Sequence, residues 1–256
     1  MKSNYTLTIG WLYPELMNIY GDRGNIVCLT KRAQWRGIKA EVKELNVGFD
    51  HKQLATCDLL VMGGAQDRQQ TIVNTDLRKH HKTLSEMIDS GIPGLYVCGG
   101  FQFLGNYYKE ADGTIIDGLG IFDINTTNPG PDKPRLIGNI AIQPSFDLTH
   151  NSKFIIHNSN VVGFENHGGR TILGSNIEPF GKVLRGHGNN DDGTEGAKYK
   201  NSFGTYMHGP ILPKNPHFAD YLIKLALKVE KLPELDDTLE LKAHKAILSS
   251  LTGFID

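Results

Sequence analysis

The sequence has no long apolar run and no excess of charge of either sign. No stretch approaches the ~18 apolar residues that a membrane-spanning helix needs. The formal net charge is -1, and no basic stripe with interleaved aromatic residues indicates a nucleic-acid partner. The first residues lead into a strand pattern and lack the apolar region of a signal peptide. We therefore expect a cytoplasmic protein.

The sequence also lacks the common motifs of metal, disulfide and nucleotide sites. Its three cysteines, Cys28, Cys57 and Cys98, form no C-x-x-C pair, which suits a reducing compartment better than a disulfide framework. Of its ten histidines, His157, His167 and His187 lie in the second half and are spaced too irregularly for a zinc site. No G-x-x-x-x-G-K-[ST] phosphate loop is present. We expect no metal or other cofactor in this chain and no ATP site.

Strand and helix patterns alternate through the first hundred residues. Candidate strands lie at residues 5–11, 39–45, 58–62 and 94–97, and candidate helices at 25–35 and 77–90. The alternation predicts an α/β fold with a parallel sheet and helices on its faces. In such a sheet, functional residues gather at the carboxyl ends of the strands. Gly63-Gly64-Ala65-Gln66-Asp67 and Cys98-Gly99-Gly100 both follow strands, so we expect them to be neighbours.

The second half has short β-type runs that are separated by Asn, Gly and Pro, which predicts an additional antiparallel portion. These runs are residues 135–142, 154–157, 182–185 and 201–208, and a helix is predicted over 216–229. A last helix is predicted over 237–248, either as a docking appendage or as a plain packing helix. We assign residues 5–230 to the main domain and 231–256 to a C-terminal helical appendage that could dock a partner.

The stretch Gly94-Leu95-Tyr96-Val97-Cys98-Gly99-Gly100 has the pattern of a nucleophile elbow. A buried strand ends in Cys98, two glycines follow, and the next residues form a short amphipathic helix. A tight turn of this kind needs small neighbours beside the nucleophile. The free N–H groups at the helix start favour a thiolate, the species that attacks carbonyl carbons. The alternative is a buried strand cysteine before a glycine turn, but the order of elements favours the elbow.

A cysteine nucleophile needs a base, and His208 is the favoured histidine. It follows a β-type run and is itself followed by Gly209-Pro210, which ends the strand, so it projects from a strand tip as Cys98 does. From the residues alone His167 remains a candidate as well. Three other histidines are expected on the solvated surface: His80, His81 and His217.

Four segments, in chain order, resemble motifs of the class I CobB/CobQ-type glutamine amidotransferases, the branch that includes cobyric acid synthase. They are the oxyanion loop at 63–67, the C-x-G-x-Q nucleophile at 98–102, the G-[FY]-E-x-H-x-G segment at 163–169 and the catalytic-histidine segment at 204–210. With Tyr20-Gly21-Asp22-Arg23-Gly24-Asn25, the chain most resembles the glutaminase subunits of lipid II isoglutaminyl synthases. The resemblance covers residues 5–229 and implies a flavodoxin-like parallel sheet.

This resemblance implies the catalytic roles. Cys98 would attack the side-chain amide of L-glutamine and form a thioester, and His208 would pass a proton to the departing ammonia. The N–H of Gly99 and one from Gly64 or Ala65 would form the oxyanion hole, whose loss typically costs ~10²–10³ in turnover.

The resemblance also implies how the substrate is bound. Arg135 matches an arginine expected to bind the substrate carboxylate, as a guanidinium does with two parallel hydrogen bonds; read alone, it would be a surface ion pair. Gln102 would contact glutamine, or else cap its own helix. Glu165 and His167 would hold a turn close to the site.

One position departs from the wider family, in which a glutamate two residues after the histidine orients the imidazole. Here Gly209-Pro210 follow His208 and offer no carboxylate. Either a dyad is enough, or an acid from a partner completes the triad. An unoriented imidazole is a poorer base, so we expect weak glutaminase activity alone and stronger activity with the partner.

The resemblance implies a heterodimer with a MurT-like Mur ligase. That partner would use ATP and Mg²⁺ to amidate D-glutamate of the lipid II stem peptide to D-isoglutamine in peptidoglycan synthesis, near the inner face of the membrane. Two alternatives remain: a glutaminase for another ATP-dependent synthetase, such as a cobyric-acid-synthase-like one, and a catalytically silent binding subunit on the same scaffold. A cysteine peptidase is disfavoured, because Gln102 and the glycine loop are features of a glutamine site.

Overall fold

The computed structural model describes residues 5–65, 67–148 and 160–252. The strands are β1 Thr6–Leu12, β2 Lys39–Leu45, β3 Leu59–Met62, β4 Gly94–Val97, β5 Tyr107–Lys109, β6 Ile115–Asp117, β7 Ile124–Thr127, β8 Leu136–Pro144, β9 Val161–His167, β10 Arg170–Leu173, β11 Gly181–Arg185, β12 Thr194–Glu195, β13 Ala197–Tyr199, β14 Ser202–Thr205 and β15 Met207–His208. The helices are α1 Arg23–Trp35, α2 His51–Leu54, α3 Asp67–Leu77, α4 His81–Asp89, α5 Gly99–Leu104, α6 Ile211–Lys214, α7 Pro216–Leu227 and α8 Thr238–Thr252, with 3-10 turns at Ile19–Gly21 and Arg78–His80.

The first sheet is six-stranded, in the order β13-β14-β4-β3-β1-β2. Its neighbours are parallel except for the antiparallel edge pair of β13 and β14. Successive residues of β3 face opposite sides, and Leu59 and Leu60 lie in separate apolar clusters. Because helices cover both faces, the strand is apolar throughout. The predicted parallel α/β sheet is confirmed.

Most predicted helices are present, with one interruption. The helix predicted over 77–90 is wrong at its start, since α3 ends at Leu77 and a 3-10 turn precedes α4. That turn carries His80 inward, where its ring stacks on Phe49 with 3.9 Å between centroids. His217 is also partly buried and hydrogen-bonded to the carbonyl of Asn160. The prediction of solvated surface is therefore wrong for these two histidines, while His81 is exposed.

The additional β portion forms two further sheets, β10-β7-β5-β6 and β12-β11-β8-β9-β15. In the second of these, which we call the third sheet, β8 pairs antiparallel with β9 and with β11. The antiparallel prediction is confirmed for residues 135–142 and 182–185. The predicted strand at 154–157 lies outside the described residues.

The strand predicted over 201–208 is divided between two sheets. β14 pairs in parallel with β4 in the first sheet, and β15 pairs antiparallel with β9 in the third sheet. We call residues 205–207, where the chain passes between these sheets, the crossover. The prediction of one antiparallel strand is therefore wrong, because a continuous β-type run does not reveal a change of pairing partner.

The C-terminal helix α8 lies on the third sheet, where Leu248 packs against Ala141 and Val162. The chain leading into it is tied to α1, since the buried Arg32 bonds both Asp220 and Asp237 at 2.7 Å. None of the helices in the described part of the chain has the length and apolar character needed to span a bilayer. The 231–252 segment is thus packed against the domain, and its role in docking a partner stays a prediction.

Candidate active site

Cys98 lies between β4 and α5 with φ 52° and ψ -107°, a conformation that residues other than glycine rarely adopt. Such a backbone costs about 1–3 kcal/mol and persists only where its surroundings fix it. Here the Cys98 N–H donates to the carbonyl of Thr205 at 2.8 Å. A Cβ added at Gly100 would lie 2.9 Å from the Met62 carbonyl oxygen, so the turn needs glycine. The predicted elbow is present, and it leaves Cys98 half-buried.

His208 lies at the end of β15 and is fully buried. Burial is the largest influence on the pKa of its imidazole and lowers it, but Cys98 and Asp22 together raise it more, to about 10. Cys98 acts through its charge and through a hydrogen bond to the ring. The structure therefore brings Cys98 and His208 together, and the environment favours the imidazolium.

Asp22 supplies a carboxylate beside His208 that the sequence analysis missed. Its Oδ1 lies 3.5 Å from Nδ1 of His208, and both side chains are buried. Its Oδ2 accepts a 2.8 Å hydrogen bond from the N–H of Gly64. A 3.5 Å separation is an ion pair, longer than the ~2.6–3.2 Å hydrogen bond of an oriented base. Asp22 is thus a third candidate for the missing acid, beside the two alternatives of a dyad and an acid from a partner.

The rest of the Tyr20–Asn25 segment anchors the chain that follows His208. A Cβ at Gly24 would clash with the ring of Pro210. Asn25 is buried and accepts a 2.9 Å hydrogen bond from the N–H of Leu212. The polar residues in a glycine-rich turn after β1 were the signal for this function, since β1 ends at the same sheet edge as the Cys98 strand.

The loop after β3 lies beside the elbow, as predicted. The Gly100 N–H donates to the Gly63 carbonyl at 3.2 Å, and a Cβ at Gly99 would lie 3.3 Å from the Ala65 nitrogen. The Gly64 N–H, however, is already directed at Asp22. In this structure the Gly64 N–H is thus occupied by Asp22, which favours Ala65 as the donor that pairs with Gly99. The choice between the two donors predicted for this loop stays a prediction.

Gln102 is buried and points toward β10. Its Nε2 donates a 3.2 Å hydrogen bond to the hydroxyl of Tyr206, which also bonds Thr171 at 2.6 Å. The ring of His167 stacks on Tyr206 with 3.7 Å between centroids. The amide nitrogen of Gln102 is thus held by Tyr206, and whether Gln102 contacts glutamine or caps its own helix stays a prediction.

Arg135 is exposed and lies just before β8. Its Nε and Nη2 donate to the side chain and carbonyl of Asn166 at 2.9 and 2.8 Å. A Cβ at Gly168 would lie 3.4 Å from its Nη1, and one at Gly169 would lie 2.7 Å from Nε2 of Gln102. The guanidinium is thus held by Asn166, and the adjacent Gly168 and Gly169 lie close to it and to Gln102 respectively. No carboxylate of the described residues forms an ion pair with it, so the surface-pair reading has no support.

Glu165 and His167 hold turns, as predicted. The two carboxylate oxygens of Glu165 accept the N–H groups of His187 and Gly188 at 2.8 and 2.9 Å. Nδ1 of His167 is 2.8 Å from the Gly169 carbonyl, and burial lowers the pKa of this imidazole. Within the described residues, no group of three or more histidine, cysteine, aspartate or glutamate side chains is arranged to hold a metal ion.

Three relatives are similar to this chain over most of its length. The subunit GatD of lipid II isoglutaminyl synthase (glutamine-hydrolyzing) from Staphylococcus aureus (strain N315) is 40% identical over 253 residues, covering 95% of this chain and 96% of that protein. The corresponding GatD of Streptococcus pneumoniae (strain ATCC BAA-255 / R6) is 39% identical, covering 96% and 88%. A probable cobyric acid synthase of Methanococcus maripaludis (strain C5) is 31% identical, covering 83% of this chain and 42% of that protein.

The fold has a solved counterpart, and the sequence matches a family. A crystal structure of a glutamine amidotransferase is similar with a TM-score of 0.56 at 13% identity, covering 85% of this chain and 98% of that chain. The sequence model of the CobB/CobQ-like glutamine amidotransferase domain matches residues 8–216. With its elbow cysteine, buried histidine and glycine loop at one sheet edge, the chain belongs to the CobB/CobQ-like family of glutamine amidotransferases.

Proposed function

We propose that this protein is the glutamine-hydrolysing subunit of a lipid II isoglutaminyl synthase. The observation that carries the proposal is the contact of the buried His208 with both Cys98 and Asp22 at one sheet edge. The GatD relatives, about 40% identical over nearly the whole chain, support the choice of acceptor. The Cys98 thiolate is the nucleophile, and L-glutamine is the substrate.

The reaction runs in two stages. In the first, the Cys98 sulfur bonds to the side-chain amide carbon of glutamine, and His208 gives its proton to the departing nitrogen, so ammonia leaves and a thioester remains. In the second, water loses a proton to His208 and attacks the thioester, so glutamate leaves and the thiolate returns. The elevated pKa of His208 suits the first stage, because the resting site then holds the imidazolium that donates this proton.

Both stages pass through an oxyanion on the former amide oxygen. The N–H groups of Gly99 and Ala65 are suited to hold it, since a Cβ built on Gly99 would lie 3.3 Å from the Ala65 nitrogen. Backbone donors fixed in this way do not reorganise when charge develops on the oxygen. Asp22 contributes indirectly, because its carboxylate holds both the His208 ring and the Gly64 N–H of the same loop.

The remaining site residues recognise the substrate. Arg135 has two nitrogens bonded to Asn166, which fixes its fork and leaves Nη1 to bind the α-carboxylate of glutamine. Gln102, fixed by Tyr206, lines the floor on which the glutamine side chain lies. Arg135 binds the carboxylate and Cys98 attacks the amide carbon. The spacing between these two residues thus selects a substrate with the chain length of glutamine.

The ammonia is consumed by a partner. A MurT-like Mur ligase would bind ATP and Mg²⁺, activate D-glutamate of the lipid II stem peptide, and receive the ammonia to form D-isoglutamine. The alternative acceptor of a cobyric-acid-synthase-like enzyme has weaker support, since that relative is 31% identical and this chain matches 42% of it. A catalytically silent subunit would have no need of the Cys98–His208 contact.

The test is ammonia release from L-glutamine by the purified chain, with and without the MurT-like partner. We expect release by the wild type, a rise with the partner, and loss in Cys98→Ala; Cys57→Ala, at a buried cysteine away from the elbow, is the matched control. Activity that survives in Cys98→Ala refutes the nucleophile. Activity with glutamine but no amidated lipid II in the complete system refutes the acceptor.

A further inference from the structure

Glu195 is a fully buried carboxyl group that the reaction described above does not use. It lies on β12, and its Oε2 has no hydrogen-bond partner among the described residues. Burial raises its pKa to about 8, and the nearby Glu165 acts in the same direction, while Tyr206, Thr205 and His208 oppose this. An apolar residue would avoid the penalty of burying this group, so its presence calls for a specific function.

The hydrogen bonds of Glu195 go to the crossover. Its Oε1 accepts the N–H of Tyr206 at 2.7 Å and the hydroxyl of Thr205 at 3.0 Å. That hydroxyl oxygen in turn accepts the N–H of Met207 at 3.0 Å. A strand that leaves one sheet for another loses ladder partners, and a buried N–H without a partner costs about 1–3 kcal/mol. Glu195 and Thr205 together replace the missing ladder.

The crossover carries both halves of the site. On one side, Tyr206 extends to Gln102 through its hydroxyl. Two residues further on, His208 lies against Cys98 and Asp22. A shift of the backbone at Tyr206 would therefore move the proton donor and the substrate pocket at once.

We propose that Glu195 is a positioning residue of the glutaminase reaction, which fixes the crossover so that His208 meets Cys98 and Tyr206 holds Gln102. This inference rests on the proposed glutamine hydrolysis. Glu195 touches neither the substrate nor the reacting atoms and acts through the backbone of residues 205–207.

The experiment compares Glu195→Leu, which removes the acceptor, with Glu195→Gln, which keeps an acceptor oxygen. Steady-state glutaminase kinetics should give a kcat about 10²-fold lower for Glu195→Leu, since a displacement near 1 Å can have that effect. Glu195→Gln should stay within about threefold of wild type. Thr205→Val, which removes the acceptor for Met207, should lower kcat about tenfold, and it decides the question if Glu195→Leu does not fold.

The matched control is Asn189→Ala. Asn189 is buried and bonds both the N–H and the carbonyl of Gly196, next to Glu195, without touching the crossover. It should lower the melting temperature with kcat within about threefold of wild type. A folded Glu195→Leu or Thr205→Val with wild-type kcat overturns the inference.

A second readout does not depend on turnover. The NMR signal of the His208 ring reports the pKa of the imidazole, which should remain raised in the wild type, Glu195→Gln and Asn189→Ala. It should fall toward the ordinary value of about 6.5 in Glu195→Leu and Thr205→Val, because the ring then leaves Cys98 and Asp22. If the wild type is inactive but the His208 pKa falls in Glu195→Leu and Thr205→Val as expected, the proposed function is overturned and the positioning stands. If the His208 pKa is unchanged in both of these variants, the positioning is overturned.

Discussion

Replacing Asp22 with asparagine removes a charge from the site with little change in shape. The carboxylate lies 3.5 Å from the His208 ring, and both groups are buried. At an effective dielectric constant of about 20, two unit charges at this separation attract by about 5 kcal/mol. The asparagine oxygen can still accept the Gly64 N–H that Asp22 Oδ2 accepts at 2.8 Å. The substitution therefore isolates the charge from the anchoring of the loop.

The substitution should lower both kcat and the pKa of the His208 imidazole. Without Asp22 the pKa of His208 should fall from about 10 toward its ordinary value. Since ~1.36 kcal/mol corresponds to a factor of ten, and part of the attraction is recovered by relaxation, we expect kcat to fall about 10²-fold. Asp22→Ala should be worse, because it also releases the Gly64 N–H.

Stability should change with pH in a defined direction. The pKa of His208 is raised in the folded state, from 6.5 to about 10. Its contribution to stability is therefore complete below the pKa of the unfolded state and is lost as the pH approaches the pKa of the folded state. Asp22→Asn should lose part of this contribution. The difference in unfolding free energy between wild type and Asp22→Asn should be largest near pH ~6 and shrink toward pH ~10.

The assay is ammonia release coupled to glutamate dehydrogenase, with urea denaturation at each pH. Arg23→Ala, at the exposed neighbouring residue, is the control. It should leave kcat unchanged and the free energy of unfolding within about 0.5 kcal/mol of wild type. An Asp22→Asn protein with wild-type kcat would refute the reasoning. It would favour the two readings in which Cys98 and His208 act as a dyad or receive an acid from the partner.

Three further substitutions test other parts of the structure. Arg135→Ala should raise the KM for glutamine at least about tenfold with little change in kcat, because it removes uniform binding; a lowered kcat at unchanged KM would contradict a role in carboxylate binding. Gly64→Ala should lower kcat without unfolding the protein, since the added Cβ would lie 2.9 Å from Cγ1 of Ile19 and 3.1 Å from Cε1 of His208 and such overpacking costs about 1–3 kcal/mol; wild-type turnover would show that Ile19 and the ring yield freely. Arg32→Ala should reduce the free energy of unfolding by about 3–5 kcal/mol, because it leaves the partly buried Asp237 without its arginine and Asp220 with Arg36 alone, whereas the exposed Lys31→Ala should have almost no effect in the same urea titration.

Local patterns predicted much of the fold. The apolar runs before Gly63 and Cys98 predicted buried parallel strands, because both faces of such strands are covered. The elbow was predictable because it depends only on neighbours in sequence, namely a strand, a cysteine and two glycines. The interruption near His80 was not, since helical periodicity continues through it and only the packing on Phe49 distinguishes a surface histidine from a buried one.

Contacts between distant residues were beyond the sequence. The glycine-rich turn after β1 indicates polar residues at this sheet edge, but it does not indicate that Asp22 meets His208, because the two come together only when β1 and the crossover reach the same edge. The same holds for Asn25 and Leu212, which are 187 residues apart in sequence. The direction of the Gly64 N–H, and with it the choice of Ala65 for the oxyanion, also depends on where the Asp22 carboxylate lies.

The sequence by itself determined the parallel sheet and the elbow at Cys98, and it favoured His208 over His167 without deciding between them. Steric limits on the backbone and alternation of apolar residues act over a few residues, so one chain segment is enough to reveal them. Only the tertiary structure decided that β14 and β15 belong to different sheets, that the Asp22 carboxylate lies beside His208 and that Glu195 accepts hydrogen bonds from the crossover. Those outcomes depend on which buried polar groups find partners, and such pairing is settled only when distant segments pack together.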